Sequence, residues 1–437
     1  MTAPAPPGDA LAQLLQGIWI DPDSGEATGV AISQVAIEDN LRGREAEYIA
    51  ALGLGRRLAV VTDTVTRDVM GARVERALAS LAHIEAVVLP QGVHADMAAV
   101  DAVRAGSAAA DALIAVGSGT INDLAKFSAA TDGKPYVVFA TAPSMNGYTS
   151  ANAAITIDGH KKTLPAVLAR GVFMDLEVLA AAPARLVRAG LGDSLCRSTA
   201  QVDWLLSHHL LGTVYREAPF ALLAQDERLL LDLPEALLAG DLVAMRALAR
   251  TLVLSGLGMT LCGGSYPASQ GEHLISHCID MLAPAERGEF LHGEQVAVAT
   301  LTMARLQEAL LNGPPPVFGT TKADLTALQR YFGTDVGTAC WNDFEPKRLD
   351  AAAAATLTKR AAKQWPDLRR RANAVRVSEG RLAAIMRRAG GPTAPADIGV
   401  DAAFYDAAVR HARYLRDRYT FLDVAGDAQP REGRLPA

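Results

Sequence analysis

Residues 111–150, DALIAVGSGTINDLAKFSAATDGKPYVVFATAPSMNGYTS, constrain the fold more than any other part of the chain. The apolar run at 112–116 has the length of a buried strand. The pattern breaks at Gly117, Ser118, Gly119 and Thr120, then resumes at helical spacing through Ile121, Leu124, Ala125 and Phe127. A second apolar run, 136–140, ends in the small polar turn Thr141, Ala142, Pro143 and Ser144. Strand, glycine turn, helix and strand in this order aim backbone N–H groups and a helix N-terminus at a phosphate. A glycine pair alone marks only a tight turn. Its place between a buried strand and a helix gives it meaning.

Upstream, strand-like runs at 35–38, 58–61 and 86–89 alternate with helical patterns at 42–52, 69–81 and 95–109. That alternation predicts a parallel sheet covered on both faces. Residues 155–165 alternate around Asp158 and Gly159, a hairpin signal, and 171–176 supply one more strand. The first thirty residues, spotted with Pro and Gly, read as irregular. After Pro183, runs rich in Ala and Leu at helical spacing dominate to about residue 309. The 437 residues exceed one ordinary core. The expectation is an α/β nucleotide-binding domain at 1–180 and an all-helical domain at 181–437. Loops are expected at 313–316 and 390–392, and a frayed tail beyond Asp423.

Charge and cysteine usage narrow the partners. The formal charge is −6 without a long basic run, which argues against nucleic acid or an anionic membrane. The first residues have no basic region ahead of a long apolar core, so no signal peptide is read there. No apolar stretch runs far enough without charged or turn residues to suggest a membrane span. Cys196, Cys262, Cys278 and Cys340 are scattered, with no CxxC, which fits reduced thiols in a cytoplasmic enzyme.

Three places in the helical half could carry chemistry. Asp193 follows Gly190-Leu191-Gly192 and reads as the start of a helix. His273 and His277 stand four apart in GEHLISHCIDML, on one helix face. His292, in FLHGEQVAVAT, stands beside another helix start. Each has a plainer reading. Asp193 could be an acid favoured by a helix dipole, and a lone histidine is more often a hydrogen-bonded core group than a ligand. Together they offer a carboxylate and two or three imidazoles, a set suited to a divalent metal with an open coordination position.

The segments GSGTINDLAK, ATAPSMNGYTS, GLGDSL, GEHLISH and FLHGEQVAV resemble those of the sn-glycerol-1-phosphate dehydrogenase family. That family belongs to the superfamily of iron-containing alcohol dehydrogenases and dehydroquinate synthases. The resemblance runs from Val35 to the RYTFLD segment at 418–423. It implies a nucleotide-binding α/β domain, an all-helical domain, and an active site in the cleft between them. The implied reaction is reduction of dihydroxyacetone phosphate to sn-glycerol 1-phosphate with NADH or NADPH and one bound metal: Zn, Fe or Ni. By resemblance, Gly117, Ser118, Gly119, Thr120 and Ile121 would cradle the pyrophosphate, with Asp123 and Lys126 on the helix that follows. Thr141, Ser144 and Ser150 would meet the cofactor. Asp193, His273 and His292 match the metal ligands, and His277 matches a position in contact with substrate. The family's habit makes a homo-oligomer the default.

One position departs: Asn146 stands where the family commonly has Asp after Ser-Met. An amide keeps size and hydrogen bonding but loses charge and any part in proton transfer. The plainer reading makes Asn146-Gly147 a turn dipeptide. In the implied mechanism the metal acts on the ketone oxygen as a Lewis acid, and His277 or a water it orders relays the proton. Lys161, Lys162 and Arg197 are candidates for the substrate phosphate. Asp63, ending a strand, is placed to bind a ribose diol and so to favour NADH. Rival readings are a polyol or glycerol dehydrogenase, a dehydroquinate-synthase-like cyclase, and a non-catalytic nucleotide-binding member.

Overall fold

The computed structural model describes residues 8–157, 160–282 and 291–429; the side chains of His160 and Lys161 lie outside that description. The start of the chain is more regular than expected. It holds a helix at Ala10–Leu15 and an antiparallel pair, β1 (Trp19–Ile20) with β2 (Ala27–Thr28). Acidic side chains make this possible among the Pro and Gly. Asp9 accepts from the N–H groups of Leu11 and Ala12, and Asp21 accepts from that of Asp23, while Leu11, Leu14 and Trp19 are buried.

The alternation of strands and helices is found as expected. β3 (Gln34–Glu38), β4 (Arg57–Asp63), β5 (His83–Leu89), β6 (Ala112–Gly117) and β7 (Tyr136–Ala140) precede an antiparallel hairpin, β8 (Asn152–Ile157) with β9 (His160–Pro165). The hairpin's turn at Asp158 and Gly159 lies outside the described residues. β10 (Gly171–Asp175) completes a parallel six-stranded sheet in the order β3-β10-β7-β6-β4-β5. One face packs Leu58, Val60, Ile114, Val116, Val137 and Phe139 against Tyr48, Met70 and Val74. The residues between them, Ala59, Val61, Leu113, Ala115 and Val138, are buried as well. A parallel sheet covered on both faces is the result.

The order of strands matters for function. From β4 the chain steps outward to β5, whereas from β6 it steps the other way to β7. Adjacent β4 and β6 therefore flank a topological switch point, and ligands of such sheets bind outside the carboxyl ends of the strands there.

The chain divides into two compact units. The first comprises Met1–Ser194 with Glu217–Gly264, the second Leu195–Arg216 with Ser265–Ala437. Against a single boundary near 180, the helices Ala218–Asp232 and Leu242–Leu261 thus go with the sheet. Leu242–Leu261 is long and apolar enough to cross a bilayer, yet 72% of its most apolar window is buried inside the protein. Its two arginines are tied to the same unit: Arg246 to Asp39 at 2.7 Å, and Arg250 to Asp9 and Asp226 at 2.9 and 2.8 Å. That is a core helix.

Described by itself, the second unit is helical. Arg197–Leu211, Gly271–Leu282, His292–Asn312 and Ala351–Val375 share one core through Val202, Leu206, Ile275, Ile279, Val298, Met303, Leu357 and Trp365. Of the tail expected to fray beyond Asp423, the described part is helical to Asp427, in a helix from Phe421, and residues 430–437 lie outside the described residues. The acids that read as a polar tail are interior ion partners: Asp427 of Arg413 at 2.5 Å, and Asp423 of Lys347 at 3.2 Å.

Candidate active site

In the first unit, the glycine turn stands at the carboxyl end of β6. Gly117 has no room for a side chain, since a Cβ would fall 2.5 Å from that of Ile121. The helix Gly119–Thr131 therefore starts directly against the strand. Its first N–H groups have no carbonyl within the helix to reach, and Ser118, Gly119 and Thr120 are partly exposed beside a fully buried strand. Asp63 ends β4, the neighbour across the switch point. One of its oxygens caps the next turn, accepting from Thr66 N–H at 2.7 Å. Thr141 follows β7 and donates its N–H to Gly117 O at 3.1 Å. Asp63, the glycine turn, Thr141 and Ser144 all follow the same ends of adjacent strands.

The loop after β7 is anchored by groups the sequence suggested for the cofactor. Lys126 is fully buried, and its Nζ donates to Gly147 O at 2.6 Å and Asn152 O at 3.0 Å, with Asp123 at 3.7 Å. Burial pulls the Lys126 pKa below its ordinary value, while Asp123 opposes the shift. Asp123 accepts from Ala154 N–H at 3.0 Å, and the Ser150 hydroxyl lies 3.2 Å from the same two carbonyls that Lys126 holds. Ser144 is hydrogen-bonded to Tyr148. Thr149 donates to Val253 O at 2.7 Å. Ser150 thus bonds within the loop, and Asp123 joins it to the Gly119–Thr131 helix, where it also accepts from Asn122 Nδ2 at 2.9 Å.

Asn146 opens the short Gly147–Thr149 turn, as a turn residue would. Its surroundings are nevertheless specific. Its N–H donates to Asp193 Oδ2 at 3.0 Å, and its Nδ2 to Ser255 Oγ at 3.3 Å. Asp193 does not begin a helix. It lies in the last turn of Ala184–Leu195, and Gly190 is helical rather than part of a turn. A Cβ at 190 would fall 1.7 Å from Pro143 O, so glycine is required for close approach. A carboxylate at a helix C-terminal end is disfavoured by the dipole, and this one is 2% exposed. The dipole reading of Asp193 is therefore overturned, and its position calls for another cause.

The second unit brings the three histidines together. His273 and His277 share a face of Gly271–Leu282, with ring centroids 6.2 Å apart. His292, the first residue of His292–Asn312, lies 5.0 Å from His273 and 5.9 Å from His277. Nδ1 of His273 is 3.0 Å from Glu272 Oε1. Glu272 is fully buried, accepts from Gln270 N–H at 2.7 Å and Thr199 Oγ1 at 3.0 Å, and its pKa is held down against burial by His273. A carboxylate bonded to Nδ1 fixes the ring and leaves Nε2 as a ligating nitrogen. His292 Nδ1 lies 3.4 Å from Ser276 Oγ, which continues through Gln295 to Asp280 by bonds of 2.8 Å each.

The basic candidates for a substrate phosphate have other settings. Lys162 is an exposed residue of β9, the Lys161 side chain is outside the described residues, and Arg197 donates to Gln201 at 2.9 Å. Sequence reasoning passed over Glu272 and Arg416, whose Nη2 stands 3.5 Å from His277 Nε2. Glu272 had a readable signal in its place beside His273. Arg416 had none, being 139 residues from its histidine.

Residues 36–183, the sheet region, match the family described as iron-containing alcohol dehydrogenase. A glycerol-1-phosphate dehydrogenase of Bacillus subtilis is 30% identical over 414 residues, covering 92% of this chain and 94% of that protein. One from Thermococcus kodakarensis is 32% identical over 273 residues, 62% of this chain and 77% of the relative. In fold, the chain resembles a probable glycerol dehydrogenase from Sinorhizobium meliloti, with TM-score 0.60, 20% identity and coverage of 90% and 95%. Sequence likeness over nearly the whole of both chains outweighs likeness in fold alone: the protein belongs to the glycerol-1-phosphate dehydrogenase family, among the iron-containing alcohol dehydrogenases.

Proposed function

We propose that the protein reduces dihydroxyacetone phosphate to sn-glycerol 1-phosphate with NADH or NADPH and a divalent metal. The observation that carries this reading is the histidine cluster, in which a buried carboxylate orients His273 and His292 lies 5.0 Å away. The family relationship is that of an oxidoreductase using NAD(P).

The donor chemistry fits a resident metal. His273 and His292 would be two ligands and Asp193 the third, giving two imidazoles and a carboxylate acceptable to Zn²⁺, Fe²⁺ or Ni²⁺. Bound, the metal supplies Lewis acidity toward the ketone oxygen and the reduced nicotinamide supplies hydride. The chain's own part is orientation and proton handling. Glu272 sets the tautomer of His273. His277, on the same helix face, delivers a proton directly or through an ordered water. The N–H groups after Gly117 hold the cofactor's pyrophosphate, and Thr141, Ser144 and Asp63 meet the rest of it at the strand ends. Asp123, Lys126 and Ser150 serve that site by holding the 147–152 loop. Asn146, bonded to Asp193 through its backbone, tunes the reaction centre.

NADH and NADPH oxidation is measured with dihydroxyacetone phosphate, unphosphorylated dihydroxyacetone, glycerol in the reverse direction, and other phosphorylated ketones, each with added Zn²⁺, Fe²⁺ or Ni²⁺. Turnover highest on dihydroxyacetone phosphate and lost on chelation supports the reading. Faster turnover of unphosphorylated polyols would move the protein to the polyol dehydrogenases, the reading that resemblance in fold leaves as second. Sedimentation of the same preparation tests whether it self-associates, as the family resemblance suggests.

A further inference from the structure

Two arginines stand close together near the end of the second unit. Arg418 is committed to the protein: it donates to Ser269 O and, at 2.7 Å, to Ser265 Oγ, and its guanidinium lies 4.9 Å over the Tyr266 ring. Arg416 is committed to much less. Its described contact is with His277 Nε2 at 3.5 Å. Burial pushes both guanidiniums below their ordinary pKa, Arg418 to about 10, and the charge of Arg416 adds to the shift of Arg418. Asp343 and Asp417 act on Arg416 through their field, but among the described residues neither arginine has a carboxylate in ion-pair contact.

Two neighbouring, partly buried cations with no acid in ion-pair contact among the described residues are costly to maintain. Their cost is offset when an anion enters. A guanidinium can present two parallel N–H groups to a phosphate, which an ammonium cannot. Of the candidates read from the sequence, Lys162 is exposed and Arg197 is bonded to Gln201, whereas Arg416 touches the histidine nearest the proposed proton-transfer step.

We propose that Arg416 is the phosphate-recognition residue of the substrate site, held in place beside His277 by the anchored Arg418. The proposal rests on the reading of the substrate as a phosphorylated ketone. It assigns specificity for the phosphate to the second unit, on the same surface as the histidines. It also explains why Arg418 is pinned on three sides: a fixed neighbour keeps the Arg416 guanidinium from collapsing onto the main chain.

The test is the ratio of kcat/KM for dihydroxyacetone phosphate to that for dihydroxyacetone, in the metal-loaded protein and in Arg416→Gln. Losing the partly buried guanidinium partner of a phosphate predicts that the ratio falls about 100-fold. Binding of inorganic phosphate, measured by calorimetry without turnover, should weaken in parallel. Arg416→Lys, which keeps the charge, should retain part of both and guards against a variant that does not fold. An equal loss on both substrates with phosphate binding intact would make Arg416 only a support for His277 and overturn the proposal. If the unaltered protein shows no preference for the phosphorylated ketone, the functional reading itself falls, and this proposal with it.

Discussion

The sheet edge and the histidine cluster solve different binding problems with different parts of the chain. At the sheet edge the useful groups are main-chain N–H groups, set out by where β6 stops and the Gly119–Thr131 helix begins. Side chains there mostly make room: Gly117 clears Ile121, and Gly190 clears Pro143. In the cluster the useful groups are side-chain nitrogens on helix faces. Each is aimed by partners such as Glu272, Thr199 and Gln295. Main-chain sites follow from local pattern; side-chain sites need support drawn from distant segments. A change to one ligand should therefore be devastating in the cluster and modest at the sheet edge.

The largest effect is expected for His273→Ala. Metal content, followed by elemental analysis, should fall to background and turnover by at least about 1,000-fold, while circular dichroism stays near that of the unaltered protein. A metal-replete, active variant would falsify the ligand assignment and erase the contrast between the two regions. Next comes Glu272→Gln, which keeps shape but removes the charge facing Nδ1 of His273. Support of this kind is worth about 10- to 100-fold in metal affinity, read by competition with a chelating dye. An unchanged affinity would mean that His273 is aimed by its helix alone.

Asn146→Asp sharpens the comparison where the first unit contributes a side chain. Restoring an acid beside Asp193 should raise kcat/KM for dihydroxyacetone phosphate about tenfold or more, somewhat below the usual range of general acid–base contributions. No change would return Asn146 to the role of a turn residue. The smallest effect is expected for Asp63→Ser. Serine can still cap the Thr64–Thr66 turn, but it no longer repels a 2′-phosphate. The unaltered protein should prefer NADH, and the variant should shift the NADH/NADPH ratio of kcat/KM several-fold toward NADPH. An NADPH preference at the outset removes Asp63 from that role.

This contrast also accounts for what was legible in the sequence. β6, the glycine turn and β7 could be read because a buried parallel strand is a nearly unbroken apolar run and a phosphate turn needs glycine. His273, His277 and His292 were legible as residues, since spacing of four places two of them on one face. Asp193 was misplaced because glycines that permit close helix packing look the same as glycines that make a turn. The Phe421–Asp427 helix was missed because Asp423 and Asp427 look solvent-seeking until Lys347 and Arg413 are known to be near them. Charge pairing across long separations leaves no periodic trace.

The division of the chain carries a consequence for how the protein is made. The polypeptide leaves the sheet unit at Ser194, contributes the Arg197–Leu211 helix to the other unit, returns for residues 217–264, and leaves again. Neither unit can be released by a single proteolytic cut or expressed whole as one continuous fragment. During synthesis on a ribosome the sheet, though complete by Asp175, must wait for the Leu242–Leu261 helix. That helix is apolar enough to be sticky until it packs. The nascent chain therefore passes through a stage in which a finished sheet lacks the Leu242–Leu261 helix of its own unit, the stage at which chaperones have most to hold.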